Sequence, residues 1–492
     1  MFAELTTLLI SAIVSVYNPR IPVLLNRDRN VVSEIVISPE DSGRTACAIE
    51  VSLGGVPRKA VKSLSLMCGD TVLDSARPDR RGKALLKFDR DLPAGDNKFC
   101  VTLSVSADKV DLTDTFSCRI EGIRLDGVPS NYSVRGPSDG RRYALALRDR
   151  GDDGADTFRI PALVTAKNGD LVAAYDVRWN SSADLQNDID IGVQRSSDGG
   201  RTWSGMQIAV DMGEYGALPQ ALNGVGDPCV LLDGRSGDIF IFVLWAHGME
   251  GQTAVNCSST GLDPTEVPQL IMVRSRDAGK SWSDPVNITR QVKDPDCASV
   301  FQGPGIGITM ADGTLVVPVQ VWKSPGNAGC AIIFSKDGGD SWEISSTAAS
   351  NVCEDQVAEI EPGVLMLNMR NYNTSDRARK VYVSEDLGRS WEAHASNNAL
   401  PEPQCQASLL SCGGLLLFAN PSSTESRVDL TVRASFDGGL TWPRSLLLDE
   451  RQGWGYSCMT MIDDDTLGIL YEGSGAQLVF QAVRITDIIS GK

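Results

Sequence analysis

Hydrophobic and polar residues alternate along much of the chain, which is the period expected of β-strands that bury one face. Between residues 20 and 132, short alternating runs such as VVSEIVIS and CVTLSVSA are separated by turn residues, without a long helical period. This pattern predicts a small N-terminal β-sandwich over residues 20–132. The segment 128–142 (VPSNYSVRGPSDGRR) is rich in Pro, Gly and Ser and has no apolar period, which indicates a domain boundary.

An eight-residue pattern, S-x-D-x-G-x-[ST]-W, occurs five times after this boundary, and each copy follows a strand-like run. The copies are 196–203 (SSDGGRTW), 275–282 (SRDAGKSW), 335–342 (SKDGGDSW), 384–391 (SEDLGRSW) and 435–442 (SFDGGLTW). Their starts are 79, 60, 49 and 51 residues apart, the size of one small sheet with its loops. A radial array of sheets, as in a β-propeller, explains this spacing best.

Each copy is expected to form a structural turn. The Asp side chain can accept backbone N–H bonds, Gly permits the backbone conformation of a tight turn, and Trp covers apolar surface beside it. Calcium binding is the functional alternative for an Asp-Gly loop. A calcium loop, however, needs several oxygen side chains and a distal bidentate Glu, whereas each copy supplies one Asp and ends in an aromatic residue.

Charge and composition exclude several classes of function. The chain has 46 Lys and Arg against 63 Asp and Glu, a net charge of −17, so nucleic acid is not expected as a partner. Only two histidines, His247 and His394, are present, which disfavours a Ser-His-Asp triad and a multi-histidine metal site. The twelve cysteines include no C-x-x-C pair. We therefore expect chemistry without a metal or other cofactor.

The first 19 residues leave two interpretations open. Residues 6–16 (TTLLISAIVSV) form an apolar run that is long enough for the core of a signal peptide and too short to span a membrane. However, Glu4 stands where a basic region is expected, the first Arg is Arg20, and no A-x-A cleavage site follows. Residues 1–19 are thus predicted to be a leader or a first strand. We expect an extracellular or periplasmic location, with the question of the leader open.

The sequence FRIPAL at 158–163, together with the five repeats, resembles the exo-sialidases (neuraminidases), and in particular the bacterial, Bacteroides-like members that carry an N-terminal accessory β domain. The resemblance covers residues 140–492 and implies a six-bladed β-propeller there. It also implies three arginines that bind the substrate. Arg159 lies in FRIPAL, Arg370 follows a strand in LMLNMRN, and Arg433 lies in LTVRASFDGG just before the fifth repeat.

Three arginines suit this substrate class because sialic acid carries a carboxylate on its anomeric carbon. Planar guanidinium groups hold a carboxylate with charge-assisted, often bidentate hydrogen bonds that lysine does not reproduce. By the same resemblance Glu472 orients the first arginine, Arg178 has a supporting role, and Asp227, in VGDPCVLLD, is a substrate contact.

The resemblance also implies three catalytic residues. Asp184, in RWNSSADLQNDIDIG, corresponds to the general acid and base, with Asp188 and Asp190 as rivals in the same loop. Tyr456, in GYSCMTM, corresponds to the nucleophile. Glu354, in NVCEDQVAEIEPG, corresponds to its glutamate partner.

Other carboxylates lie close to Glu354 along the chain, so its assignment stays open against Asp355, Glu359 and Glu361. A tyrosine nucleophile is a known exception among glycosidases. It avoids the like-charge repulsion that a carboxylate nucleophile would meet at a carbon that already carries a carboxylate. The implied activity is release of terminal sialic acid from glycoproteins, glycolipids or oligosaccharides with retention.

Two other functions compete with hydrolysis. One is transfer of sialic acid to an acceptor, or its intramolecular cyclisation, and the other is a non-catalytic propeller that binds sialylated glycans. A binding protein would need the arginines but not Asp184, Tyr456 and Glu354 together, which favours turnover. The sequence leaves open the linkage preference, the disulfide state, the oligomeric state and the role of the N-terminal domain.

Overall fold

The computed structural model describes residues 12–248, 254, 259–372 and 375–491. Strands account for 52% of the chain, and the α-helices of the described residues are Thr289–Val292 (α1) and Ile485–Ser490 (α2). Short 3-10 turns occur at Ala107–Lys109, Asp152–Gly154 and Gln220–Leu222. The predicted all-β class is confirmed. Contacts divide the chain into two compact units, Met1–Leu145 and Ala146–Lys492.

The first unit consists of strands that pair in two sheets. Its strands are β1 (Ala12–Tyr17), β2 (Val23–Leu24), β3 (Asn30–Pro39), β4 (Gly43–Gly54), β5 (Val61–Cys68), β6 (Thr71–Ala76), β7 (Lys83–Leu92), β8 (Asn97–Val105), β9 (Thr115–Leu125), β10 (Val128–Pro129), β11 (Tyr132–Arg135) and β12 (Arg141–Arg148), the last of which ends in the second unit. One sheet has the order β11-β1-β3-β8-β5-β6, and the other contains β12-β9-β4-β7. Buried and exposed residues alternate along β3 and β4, as the sequence pattern predicts for strands with one solvated face.

Two segments on which the sequence pattern leaves a question contain strands. Within the N-terminal apolar run, the part from Ala12 onward is a strand that pairs with β3, as in one of the two interpretations, while residues 1–11 lie outside the described residues. The segment 128–142, where the sequence predicts a domain boundary, contains β10 and β11. Its polar composition is compatible with strands because β11 is an edge strand, which pairs with β1 among the described residues, and an edge strand does not need a buried face. In the part of the chain that the structure describes, no helix is long and apolar enough to cross a bilayer.

The second unit carries the remaining strands. They are β13 (Thr157–Thr165), β14 (Leu171–Arg178), β15 (Ile189–Ser196), β16 (Gln207–Val210), β17 (Val225–Leu232), β18 (Ile239–Trp245), β19 (Gln269–Ser275), β20 (Val286–Asn287), β21 (Ser299–Gln302), β22 (Gly305–Ile306), β23 (Ile308–Thr309), β24 (Leu315–Ser324), β25 (Asn327–Ser335), β26 (Glu343–Ile344), β27 (Ala349–Ser350), β28 (Val352–Glu361), β29 (Val364–Asn371), β30 (Lys380–Ser384), β31 (Glu392–Ala393), β32 (Ser408–Cys412), β33 (Leu415–Pro421), β34 (Leu430–Ser435), β35 (Arg444–Asp449), β36 (Ser457–Met461), β37 (Thr466–Tyr471) and β38 (Leu478–Arg484).

These strands form six successive sheets in the described residues. Their main strands are β13 to β16, β17 to β20, β21 with β24 to β26, β28 to β31, β32 to β35, and β36 to β38. Every residue of β14 and of β18 is buried, so both faces of these strands are covered. That is why their sequences read as continuous apolar runs rather than as alternating ones.

Hydrogen bonds link each of these sheets to the next and the last sheet to the first. They are Asp227 N to Asp176 Oδ1, Gly307 N to Val230 O, Gln356 Nε2 to Pro304 O, Arg379 Nη1 to Cys405 O, Met459 N to Ser408 Oγ, and Thr165 N to Thr460 Oγ1.

The five repeats form turns with one common set of hydrogen bonds. In the third copy, Ser335 Oγ donates to Asp337 Oδ1 (2.7 Å) and accepts from the N–H of Gly339 (2.9 Å), while the Ser341 N–H donates to Asp337 Oδ1 (2.9 Å). Gly338 and Gly339 have φ of 75° and 90°, the left-handed region that favours glycine. Hydrogen bonds from the side chain and the backbone N–H of Ser341 lower the pKa of Asp337 to about 2.

We predict that Asp337→Ala lowers the free energy of unfolding by about 1 kcal/mol, the usual effect of losing a capping carboxylate, and leaves the activity of the folded protein unchanged. Because the folded-state pKa is depressed, the stabilisation is complete above the unfolded pKa of about 4. It is lost as the pH falls towards about 2. Thermal denaturation of both proteins measures the difference. Asp340→Ala, an exposed carboxylate in the same turn, is the matched control. Loss of turnover at unchanged stability would contradict a structural role.

Candidate active site

A cavity of about 1110 Å³ opens in the second unit. It is lined by seven of the residues singled out from the sequence, namely Arg159, Arg178, Asp184, Asp227, Glu354, Arg370 and Tyr456. Glu472 lies behind Arg159 and is completely buried. The remaining residue, Arg433, is not part of the cavity wall.

The strand order explains why residues so far apart in sequence meet. Arg159, Asp227 and Glu354 lie at the start of the first strand of their sheets, and Tyr456 directly precedes the first strand of the last sheet. The other residues lie at the end of a second strand or just after it. Consecutive strands are antiparallel, so the start of a first strand and the end of a second strand share one edge of a sheet.

Three of these first strands are distorted where they reach the cavity. The ladders are irregular between Arg159 and Ala162, between Gly226 and Cys229, and between Cys353 and Asp355. Ile160, Asp227 and Glu354 have φ of 58°, 60° and 40°, a backbone conformation that residues other than glycine rarely adopt. Bulges of this kind redirect side chains at the end of a strand and are common beside active sites.

Arg159 is held by Glu472 in a bidentate ion pair. Arg159 Nε donates to Oε1 (2.9 Å) and Nη2 to Oε2 (3.2 Å), and Glu472 also accepts the backbone N–H groups of Ile160 (3.0 Å) and Tyr456 (3.1 Å). Burial alone would lower the pKa of Arg159, but the Glu472 carboxylate more than offsets this and raises it. The first arginine is thus fixed in place and permanently charged.

Tyr456 lies between a carboxylate and three guanidinium groups. Its hydroxyl donates to Glu354 Oε1 and accepts from Arg370 Nη1 (3.1 Å). The guanidinium carbons of Arg159 and Arg427 lie 5.1 and 5.6 Å from the centre of its ring. Burial raises the pKa of Tyr456 well above its usual value, and the Glu354 carboxylate raises it further. The phenol is therefore protonated in the free protein.

Arg370 bridges the same two groups. Its Nη1 also donates to Glu354 Oε2 at 2.6 Å, so Glu354 contacts the arginine with one oxygen and the tyrosine with the other. Arg370 Nε is buried and has no hydrogen-bond partner among the described residues. Arg370 also lines the cavity, so its guanidinium is near a bound ligand.

Asp184 lines the same cavity and lies beside two arginines. Arg178 Nη1 donates to Asp184 Oδ1 at 2.7 Å, and Arg159 Nη1 lies 3.7 Å from the same oxygen. Arg178 is itself held by Asp176, to which Nη2 donates at 2.8 Å. Partial burial would raise the pKa of Asp184, but the two arginines outweigh it and the pKa is lowered. Its side chain is 70% exposed and can reach a bound molecule.

Asp227 adds a second carboxylate next to this cluster. Its backbone N–H donates to Asp176 Oδ1 at 2.9 Å, and its carbonyl accepts from Gln302 Nε2. Burial raises the pKa of Asp227 well above its usual value, and the neighbouring Asp176 carboxylate adds to the shift. This is the position that the sequence assigns to a substrate contact.

The rival carboxylates do not line the cavity. Asp190 accepts hydrogen bonds from Trp179 Nε1 and Gln220 Nε2, and burial raises its pKa to about 7. Asp188 binds the side chain of Asn180.

The three carboxylates that were alternatives to Glu354 do not line the cavity either. Asp355 is completely buried, Glu359 accepts backbone N–H groups of the Gly363 turn and of Ala311, and Glu361 is exposed at the far end of β28. Geometry therefore separates Asp184 and Glu354 from their neighbours.

Arg427 lines the cavity together with Arg159, Arg178 and Arg370, whereas Arg433 does not. Arg433 lies within β34, the third strand of its sheet, where Nη1 donates to Asn420 Oδ1 (2.9 Å) and Nη2 to Ser422 Oγ (2.5 Å). Arg427 lies in the loop after β33, and its guanidinium donates to the carbonyls of Trp454 (2.9 Å) and Gln404 (3.1 Å). Proximity to the fifth repeat suggested Arg433, whereas the strand order points to the loop after a second strand.

Other residues that line the cavity belong to no motif recognised in the sequence. Trp454 is 44% exposed and stacks over Arg159, with 4.5 Å between the guanidinium carbon and the ring centre. Tyr372 is 42% exposed and lies beside Arg370. Apolar lining is contributed by Leu185, Leu244, Ala254, Phe301 and Trp322, the last of which contacts the ring of Tyr372. The cavity thus joins a cationic region to an apolar one, a combination suited to a small polar ligand with an apolar substituent.

Similarity to known proteins identifies this all-β chain as a glycoside hydrolase. Residues 169–470 match the family model described as a BNR repeat-like domain. A sialidase of Bacteroides fragilis (strain YCH46) is 41% identical, with 96% of this chain and 94% of that protein covered. A sialidase of Micromonospora viridifaciens is 32% identical, with 67% and 52% covered. The solved structure of Hadza microbial sialidase Hz136 is 40% identical, with a TM-score of 0.92 over 96% of this chain and 100% of that one. The chain belongs to the bacterial exo-sialidase family.

Proposed function

We propose that this protein is an exo-α-sialidase that hydrolyses terminal sialic acids of glycoproteins, glycolipids and oligosaccharides with retention, through a covalent intermediate on Tyr456. The observation that carries the proposal is the arrangement around the Tyr456 hydroxyl, which contacts both Glu354 and Arg370. We further propose that the six sheets are the blades of a closed propeller. The continuous series of hydrogen bonds from the first sheet to the last and back to the first supports this closure.

The substrate carboxylate is held by Arg159, Arg370 and Arg427. Within the described residues, the guanidinium of Arg427 donates only to backbone carbonyls, and Arg370 donates hydrogen bonds only through Nη1. These groups therefore have positive charge and N–H donors to spare for an anion. Arg159 keeps its orientation during binding because Glu472 fixes two of its nitrogens.

Tyr456 acts as the nucleophile on the anomeric carbon. The neutral phenol approaches a carbon that bears a carboxylate without like-charge repulsion. As the bond forms, the phenolic proton passes to Glu354, and the adjacent Arg159 and Arg370 stabilise the developing phenolate. A second step, attack of water on the same carbon, releases sialic acid with overall retention.

Asp184 protonates the leaving oxygen and afterwards removes a proton from the attacking water. In the free protein its two arginine neighbours favour the ionised form. A bound substrate carboxylate neutralises part of that positive charge and covers Asp184, and both effects raise its pKa. Binding of the substrate thereby favours the protonated form of Asp184, which can act as the general acid.

Location is part of the same proposal. The apolar run at residues 6–16 and the sialylated glycans of cell surfaces and secretions favour an extracellular or periplasmic protein.

The proposal is tested by incubating the protein with an aryl α-sialoside and identifying the sugar product by mass spectrometry and NMR. Free sialic acid whose first-formed anomer is α supports hydrolysis with retention. An anhydro sugar would indicate intramolecular transfer, and a sialylated product formed only with added lactose would indicate transfer to an acceptor. Binding without any product would contradict an enzymatic function.

A further inference from the structure

A short buried segment, residues 404–406, lies against Tyr456 just before β32. Cys405 packs with Tyr456 and Ile160 in a small apolar cluster. The carbonyl of Gln404 accepts a hydrogen bond from Arg427 Nη2 at 3.1 Å. One segment thus contacts both the ring of the nucleophile and an arginine of the cavity.

Gln406 contacts the backbone immediately after Tyr456. The Ser457 N–H donates to Gln406 Oε1 (3.0 Å), and Gln406 Nε2 donates to the Ser457 carbonyl (3.0 Å). The same nitrogen donates to the carbonyl of Pro304 (3.1 Å). Gln406 is 1% exposed, so water does not replace these bonds. A primary amide that pairs with both polar groups of one residue fixes the position and the orientation of that residue.

Tyr456 lies one residue before β36 and is outside that strand, so other groups have to hold its backbone in place. Strand β36 begins at Ser457, and Tyr456 itself bonds to Glu472 through its N–H (3.1 Å) and its carbonyl (2.9 Å). Glu472 therefore holds the residue from one side and Gln406 holds the next residue from the other.

The segment is anchored from behind by a completely buried ion pair. Arg379 Nη1 donates to the Cys405 carbonyl (2.7 Å) and to Glu402 Oε2 (2.8 Å). Glu402 Oε1 in turn accepts the N–H of Asn371 (2.6 Å), the residue after Arg370. The supports of Tyr456 and of Arg370 are therefore connected.

We propose that Gln406 is a positioning residue for the nucleophile, one that sets the Tyr456 hydroxyl at its distance from Glu354 and Arg370. This inference rests on the proposed function of Tyr456. Gln406 contacts neither the cavity nor the reacting atoms, so its effect is transmitted through Ser457. Misplacement of a reacting group by about 1 Å costs up to about 100-fold in rate, so the loss of this support is measurable.

The test is Gln406→Met, which keeps the length of the side chain and removes its amide. We expect kcat to fall about 10- to 100-fold, with KM within about threefold of wild type because the arginines are untouched. Labelling of Tyr456 by a 2,3-difluorosialic acid should slow by the same factor.

Ser408→Ala is the matched control. Ser408 is also completely buried, and its hydroxyl accepts the N–H of Met459 between the same two sheets, two residues further from Tyr456.

Ser408→Ala should lower the melting temperature but keep kcat within about twofold, since it removes one buried hydrogen bond away from the site. A wild-type kcat in Gln406→Met, or an equal loss of kcat in both variants, would overturn the inference. If Gln406→Met does not fold, Gln406→Glu replaces it, because that variant keeps the acceptor for Ser457 and loses the donor. Wild-type protein assayed in parallel shows whether sialic acid is released at all, so a failure of the proposed function is distinguished from a failure here.

Discussion

Replacing Tyr456 with phenylalanine should lower kcat by at least about a thousandfold, the scale of losing a covalent nucleophile. The variant keeps the ring that packs between Cys405 and Ile160, so its melting temperature should change little. It lacks the only atom that contacts Glu354 and Arg370 and that could form the sugar adduct. Steady-state kinetics with an aryl sialoside measure the loss.

The site of attachment is a second readout of the same prediction. A 2,3-difluorosialic acid, which slows breakdown of a glycosyl-enzyme, should label Tyr456 in the wild type and leave the variant unlabelled. Peptide mapping by mass spectrometry locates the label. Tyr382→Phe is the control, because Tyr382 packs in the fourth sheet and does not line the cavity. A label on another residue, or wild-type turnover in Tyr456→Phe, would remove Tyr456 from the mechanism.

Arg427→Lys should reduce kcat/KM about 10- to 100-fold, the cost of losing charge-assisted hydrogen bonds to a carboxylate. Lysine keeps the charge but cannot donate to the carbonyls of Gln404 and Trp454 while also reaching a ligand. Arg433→Lys should change kcat/KM less than about threefold, because Arg433 bonds to Asn420 and Ser422 outside the cavity.

The two variants decide between the arginine chosen from the sequence and the one found in the cavity. A larger loss in Arg433→Lys than in Arg427→Lys would restore the original choice. The methyl ester of the sialoside is a complementary probe, since it removes the charge that the arginines bind. Cleavage of the ester at the same rate as the free acid would contradict carboxylate recognition by either residue.

Local sequence patterns predicted the structure correctly where the structure depends on interactions between residues close together in the chain. The alternation in β3 and β4 follows from one covered face, and the repeat at 335–342 closes its turn with its own Ser, Asp and Gly. Strand β1 was one of two interpretations of an apolar run, and periodicity could not separate them. Strand β11 was missed because an edge strand tolerates polar residues on both faces.

The site required information that local patterns lack. Arg159 and Glu472 are 313 residues apart, and only a family resemblance linked them before the structure placed them in contact. Arg433 is nearer to the fifth repeat than Arg427, so sequence proximity favoured Arg433. Of the two, however, Arg427 lines the cavity, because it lies in the loop after the second strand of its sheet. Asp176, Trp454 and Gln406 belong to no motif, and their roles follow only from three-dimensional contacts.

The contact between Arg159 and Glu472 also has a consequence for biosynthesis. Glu472 is synthesised 313 residues after Arg159, and it holds Arg159, the backbone of Tyr456 and the backbone of Ile160 at once. Bringing together groups separated by 313 residues requires closure of a very long loop, which slows folding. A nascent chain that already carries Arg159, Asp184 and Glu354 therefore has no ordered site. Activity therefore begins only after Glu472 has been translated and has bound Arg159.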